Sequence, residues 1–492
     1  MEKYIVNAGF LWDGISDQVS HDMAICVEDG RIASIGKKED IAKAFPSIPV
    51  LDGKNYLVLP AFVNAHDHGR GVSPVAFGAF DRALEMWLQD LNKLPCIPHY
   101  EACYYDGLRL VSSGVGTVLH SHNPNSFANI RKEMVDTAHG YKDAGVRSIL
   151  CPLYLDQNKR IYYDRDKFLA GLPDSIREPF ASGIKDKIMG MDEYLALVEG
   201  IVSDLKSEIE EGWVEVQLHP NGGQWCSDEA LLQMKEYALS HGMNIHLHLL
   251  ETKYQREYAM RTWGKNFIKH YDDIGFLGPW VSFAHAVYLD DEDLALIAES
   301  GARLVNNPSS NLRLRSGSFR IHKVHELGIH AGIGLDGCAY DDDQDYLREI
   351  RTAWLNNTIT GVDGCVDYMK VLRMATSGGA SVAAGKLSEG VIRAGANADF
   401  VCIDADRLYK PYADSYLDPL ALLVQKGTRD YVEMTAVNGR IVWKNDTAFK
   451  DKEESAADRL ADSIRAWRES HPGRRDNELL ISHVHDFYED VK

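Results

Sequence analysis

Residue types that hold divalent metal recur at four separated places in the chain: His66-Asp67-His68, His248 with Glu251, His285, and Asp336. Each place closes an apolar, strand-like run, in "LVLPAFVNAHDH", "MNIHLHLLE", "WVSFAHAV" and "HAGIGLDG". Imidazole nitrogens and carboxylate oxygens are the ligands of zinc and similar ions, and three or four of them leave room for a reacting water. His66 and His68 are two apart on a strand, so their side chains share a face, as do those of His246 and His248. His248 stands nearer its strand end and is the better ligand, whereas His246 reads as a hydrogen-bonded core histidine one layer deeper. Glu251 falls where that strand turns, within reach of a water on the ion. A carboxylate such as Asp336 inside an apolar strand is costly unless a charged partner meets it, and a metal ion satisfies that demand. Any one of these residues alone reads equally well as buried polar filler; four strand ends together point to one site.

Chemistry at successive strand ends needs a parallel sheet to collect it. Eight β-like runs are expected, at 57–66, 114–122, 147–155, 214–219, 243–250, 280–287, 302–308 and 330–336. Helical patterns separate several of them. "DEALLQMKEYALSHG" starts at Asp228 and stops at Gly242, and "DDEDLALIAESG" runs from an Asp cap to Gly301. Strand and helix in alternation predict a (β/α)8 barrel over 56–385, whose chemistry sits at the carboxyl ends of the strands. The stretch at 157–210 is too long for a connection, and Tyr162, Tyr163, Phe168 and Phe180 mark it as an ordered lid or subunit contact. Residues 1–55 and 386–445 share a texture of short strands with Asp29-Gly30 and Asn438-Gly439 turns, which predicts one small β-sandwich domain built from both chain ends. Residues 446–492 read as a charged helical extension.

Composition narrows the partners. A formal net charge of -20 over 492 residues argues against nucleic acid and anionic membrane, which are held by Lys and Arg clusters. No run approaches the ~18 apolar residues of a membrane span, and the first residues do not read as a signal peptide. Eight scattered cysteines without a C-x-x-C pair suit a reducing, cytoplasmic setting.

The order H-x-H, H-x-x-E, strand-end His, and then "NPSSNLRLRSG" ahead of "LDG" resembles the amidohydrolase superfamily, in its cytosine deaminase, guanine deaminase and triazine hydrolase branch. "GVIRAGANADFVCID" is similar to that family's returning β segment. The resemblance implies that His66, His68, His248 and Asp336 bind one divalent ion (zinc, with iron and manganese as alternatives). It implies further that Glu251 shuttles protons and that His285 steadies the attacking water or the substrate, with Asp336 also accepting a proton. The fourth strand, "VEVQLHP", offers no lysine for a metal bridge, so a mononuclear site is expected. Asn221 stands where several relatives have a substrate-contacting histidine, which departs from a nucleoside-type pattern. The expected reaction is hydrolytic deamination of a small nitrogen heterocycle (purine, pterin, pyrimidine or triazine). The alternative is hydrolysis of an amide, urea, carbamate or aryl halide at the same site. Trp87, His122, Gln224, Trp225, Asn311 and Arg313 are candidate substrate contacts, by stacking a flat ring or reading its edge. The expected partners are a small-molecule substrate and further copies of the chain.

Overall fold

The computed structural model describes residues 3–51, 55–157, 161–162, 164–182, 189–337, 343–357, 366–383, 385–472 and 477–490. Eight short parallel strands form the central sheet: β1 (Phe62–Asp67), β2 (Val115–Ser121), β3 (Arg147–Cys151), β4 (Val214–Val216), β5 (Ile245–Leu249), β6 (Val281–His285), β7 (Arg303–Asn306) and β8 (Ala331–Ile333). Each pairs with its neighbour in chain order, and β8 returns to β1 through Ile333 and Asn64. The remaining gap, between β4 and β5, is bridged by Leu218, whose N–H donates to the Asn244 carbonyl at 3.0 Å while His246 N–H donates back to Leu218 at 2.9 Å. The circuit is a (β/α)8 barrel. Its strands are buried along nearly their whole length, because a parallel sheet covered on both faces has no solvent side.

The helices between strands start and stop on the signals the sequence carries. The Ser227 hydroxyl caps the helix Asp228–His241 by accepting from Ala230 N at 3.2 Å, and Gly242 ends it with φ of 63°. Asp290 and Asp293 form a reciprocal capping box on Asp291–Ser300, which Gly301 ends. Both chain ends contribute to a second, mixed sheet of eight strands. Its hairpins turn at Asp29-Gly30 and Asn438-Gly439, and all four residues have positive φ, the geometry that matches strand twist in two-residue loops. The expected run at 57–66 is two strands. Tyr56–Pro60 pairs with Phe400–Asp404 in the second sheet, and only from Phe62 does the chain enter the barrel. Proline ends the first of these strands, since it has no N–H to continue a ladder.

The 157–210 stretch carries helices at Arg165–Gly171, Asp174–Ser182, Met191–Asp204 and Lys206–Glu210. Its Tyr163 lies outside the described residues. Phe168 is fully buried, with ring centroids 5.3 Å from Phe180 and 5.2 Å from Phe487 on the helix Glu478–Glu489. The stretch is therefore docked on the C-terminal helix. No helix among the described residues is long and apolar enough to cross a membrane.

Phe168→Ala removes a ring from this contact and should cost about 3–5 kcal/mol. The check is chemical denaturation followed by both tryptophan fluorescence and circular dichroism. An unchanged midpoint would show that the docked helices add nothing to the cooperative unit.

Candidate metal centre

His66 is the penultimate residue of β1 and His68 lies just past its end. His248 is the fourth residue of β5, His285 the last of β6, and Asp336 follows β8 by three residues. The barrel brings all of them to its carboxyl end. One ligand atom from each of His66, His68, His248 and Asp336 lies within 4.8 Å of all the others. Asp336 Oδ1 stands 3.2 Å from His66 Nε2 and 3.0 Å from His68 Nε2.

The tautomers follow from what holds the other side of each ring. His68 Nδ1–H donates to the Ser121 carbonyl at 2.7 Å, with the Asn123 amide equally close, and His248 Nδ1–H donates to the Asn221 carbonyl at 2.7 Å. His66 Nδ1–H donates to His246 Nε2 at 2.8 Å, and His246 Nδ1–H donates onward to Ser282 Oγ at 2.7 Å. Every Nδ1 is thus a donor and every Nε2 keeps a bare lone pair, which is the state a metal ligand needs. Burial holds the His66, His68 and His248 imidazoles below their usual pKa, so they are neutral. Burial pushes the Asp336 carboxyl up, but the His66 and His68 rings facing it outweigh that and leave it well below its ordinary value. Ser310 Oγ–H fixes Asp336 Oδ2 at 2.6 Å. His66 Nε2 and Asp336 Oδ1 are both buried without a hydrogen-bond partner. Orphaned lone pairs and a carboxylate converging on one point fit a divalent cation and little else.

Two further groups stand beside this cluster. His285 Nδ1–H donates to Asn311 Oδ1 at 3.0 Å, which leaves its Nε2 facing Glu251 Oε2 at 3.8 Å and Asp336 Oδ2 at 3.9 Å. Burial, then the charges of Asp336 and Glu85, raise the Glu251 carboxyl well above its usual pKa. The backbone bends sharply here, with φ of 50° at Leu250, 70° at His285 and 59° at Asp336. Non-glycine residues in this region are strained, and such strain gathers at working sites. Gly69 and Gly71 also have positive φ, and a Cβ on Gly69 would lie 2.5 Å from the Tyr141 hydroxyl, so the turn after His68 requires glycine. Asp67 faces away from the cluster, accepting from Asn64 and Gly69 N, and is raised to about 7 by burial and Asp106.

A cavity of about 440 Å³ opens beside His68, lined by Arg70, Leu88, Asn92, Asn123, Asn221 and Trp225 among others. Of the six candidate substrate contacts, Trp225 is in that lining. Trp87 packs with Leu84 and Leu314, and Arg313 is ion-paired with Asp81. Asn311 orients His285, Gln224 is buried, and His122 is buried against Glu133. Two roles leave little trace in the sequence. Asn221 orients His248 through its carbonyl. Glu85 is a buried carboxyl that accepts from Thr252 Oγ1 at 2.6 Å and is raised to about 7 by burial; its only trace is an acid in the apolar stretch "ALEMWL".

The model of the Amidohydrolase family matches residues 57–442. A 5-methylthioadenosine/S-adenosylhomocysteine deaminase of Thermodesulfovibrio yellowstonii is 28% identical over 489 residues, covering 95% of this chain and 98% of that protein. Among solved structures, a zinc-bound adenosine deaminase from Xanthomonas campestris superposes with a TM-score of 0.76 at 21% identity, covering 94% of this chain and 99% of the other. The zinc complex of atrazine chlorohydrolase from Arthrobacter aurescens TC1 gives 0.77 at 19% identity, covering 94% and 100%.

Protein purified without added metal should carry one ion per chain at these four side chains, and His248→Ala should lose most of it by elemental analysis. Two ions departing together in that variant would make the centre binuclear.

Proposed function

Because the chain belongs to the amidohydrolase family, we propose that it is a metal-dependent hydrolase that deaminates a small nitrogen heterocycle. The observation that carries this reading is the meeting of three bare Nε2 lone pairs and one carboxylate beside Glu251 and His285. His66, His68, His248 and Asp336 would hold the ion, and their nitrogen-rich set supports zinc, with iron or manganese as alternatives. When bound, such an ion supplies Lewis acidity that makes water a nucleophile near neutral pH.

The chain's own groups do the rest. Glu251, buried and with a raised pKa, is suited to take a proton from the attacking water and return it to the ring nitrogen as water adds across the C=N bond. A second proton goes to the amino group, which leaves as ammonia while the ring carbon keeps the oxygen as a carbonyl. His285, held by Asn311, presents an acceptor nitrogen between Glu251 and Asp336 and steadies the water's remaining proton. Trp225 and the apolar cavity wall give a flat ring a surface to lie on. The curated relative is named for deamination of adenosine derivatives, which supports a heterocycle bearing a substituent; the cavity volume exceeds what a bare base needs. The likeness to a chlorohydrolase keeps displacement of another leaving group as the second reading. The free cysteines among the described residues support a cytoplasmic setting.

Glu251→Gln keeps shape but has no carboxylate to accept and return a proton. It should retain metal while kcat falls ~100-fold or more. Near-normal turnover in that variant would move the proton shuttle elsewhere, with His285 next.

Mass spectrometry of both products in labelled water, over a panel of aminated heterocycles, amides and ureas, tests the reaction. Ring-retained products carrying solvent oxygen, formed in step with ammonia, are expected. Cleavage of an acyclic amide or carbamate with every aminated heterocycle untouched would refute deamination.

A further inference from the structure

A second group of ligand-type side chains lies outside the barrel's mouth. His99 opens the helix His99–Ser112, His122 directly follows β2, and Glu133 sits in the first turn of the helix Ile130–Ala144. His122 Nε2 and His99 Nε2 are each 3.2 Å from Glu133 Oε2, and the two ring centroids are 4.7 Å apart. All three ligand atoms lie within 4.8 Å of one another. Four ligands arranged tetrahedrally at zinc distances are separated by about 3.3–3.4 Å, so the two 3.2 Å imidazole-to-carboxylate spacings match a coordination shell as well as they match a hydrogen bond. The carboxylate-to-imidazole spacings at the catalytic centre are of the same size, 3.2 and 3.0 Å.

The hydrogen bonds behind the ligands repeat the pattern of the first centre. His122 Nδ1 lies 3.2 Å from His120 Nε2, and His120 Nδ1 lies 3.3 Å from the Tyr141 hydroxyl. With both Nδ1 atoms donating inward, His122 Nε2 turns a lone pair toward Glu133. This is the arrangement that His246 and Ser282 impose on His66. His99 Nε2 is buried with no hydrogen-bond partner although a carboxylate stands beside it. Its N–H direction does not serve that carboxylate, whereas a cation between them satisfies both. Glu133 is held from behind by Asn125 N at 3.1 Å and Ser126 N at 3.0 Å, as a ligating carboxylate usually is.

We propose that His99, His122 and Glu133 form a second divalent-cation site that takes zinc, separate from the centre at His66, His68, His248 and Asp336. Three protein ligands leave a position for water or for a coordinating group of a ligand. His99, Asn123, Asn125 and Phe127 all line the cavity, so the ion clamps the segment that forms its outer wall. With one ligand fewer than the catalytic centre, this site fills second.

The test is a zinc titration of chelator-stripped protein, with bound zinc counted after gel filtration. The wild type should reach two equivalents, and His248→Ala should retain one. His99→Gln and Glu133→Gln, each built into His248→Ala, should bind none, and zinc should raise the melting temperature of His248→Ala but not of either double variant. A wild type that stops at one equivalent, or a His248→Ala variant that binds none while circular dichroism shows it folded, overturns the proposal. So does a count that neither double variant changes. The deaminase reading stands or falls on the substrate panel instead, independently of this count.

Discussion

Three neutral imidazoles and a carboxylate share one buried volume, and each must be aimed rather than merely present. A buried carboxylate without a partner is expensive, and an imidazole is a ligand only through the nitrogen that lacks a proton. The aim is set by Nδ1–H bonds to acceptors that the barrel itself supplies: the Ser121 carbonyl at the end of β2, the Asn221 carbonyl beyond β4, and the His246 ring on β5. Two of the three are main-chain carbonyls, one at the end of β2 and one in the segment that follows β4. Strand register therefore decides tautomer, and tautomer decides whether the lone pairs meet.

That dependence explains where the backbone is strained. Leu250, His285 and Asp336 take positive φ just where β5 and β6 end and where the chain has left β8. The bends at His285 and Asp336 fall on residues of the cluster itself, and all three are conformations the local sequence disfavours. A closed ladder of parallel strands over-determines the positions on either side of the bend, which is the condition for such strain to persist. The Leu218 bridge matters for the same reason. It joins β4 to β5 next to His246 and His219, so the circuit closes where the deepest histidine is held.

The barrel and the cluster of histidines and Asp336 at its carboxyl end were legible because parallel strands buried on both faces leave apolar runs that stop abruptly where the strands end. Helix boundaries were equally legible wherever Ser or Asp caps and terminal glycines bracket a periodic stretch, as at 227–242 and 290–301. What escaped has a common cause. A main-chain carbonyl such as that of Asn221 carries no side-chain signature, so Asn221 reads only as a missing histidine. Glu85 and Thr252 meet across 167 residues, and nothing local marks either one. The run at 57–66 reads as one strand because apolar character is continuous across Ala61, while the change of sheet is a matter of pairing partners far along the chain.

His122 shows how the same alternation can mislead. Its place after β2 suggests a residue facing substrate, since strand ends in this fold face the site. Side chains on an extended segment alternate, however, and β2 divides its last residues between two surroundings. The Ser121 hydroxyl contacts His219 inside the barrel, and the Asn123 amide reaches His68. His120 and His122 point the other way, to Tyr141 and Glu133 on the covering helix. One strand end therefore supplies two clusters back to back, with the Ser121 and Asn123 contacts tying the wall of the first to the ligands of the second. An ion held by His99, His122 and Glu133 would thus bear on the cluster of His66, His68, His248 and Asp336 through the position of that segment, without sharing a ligand with it.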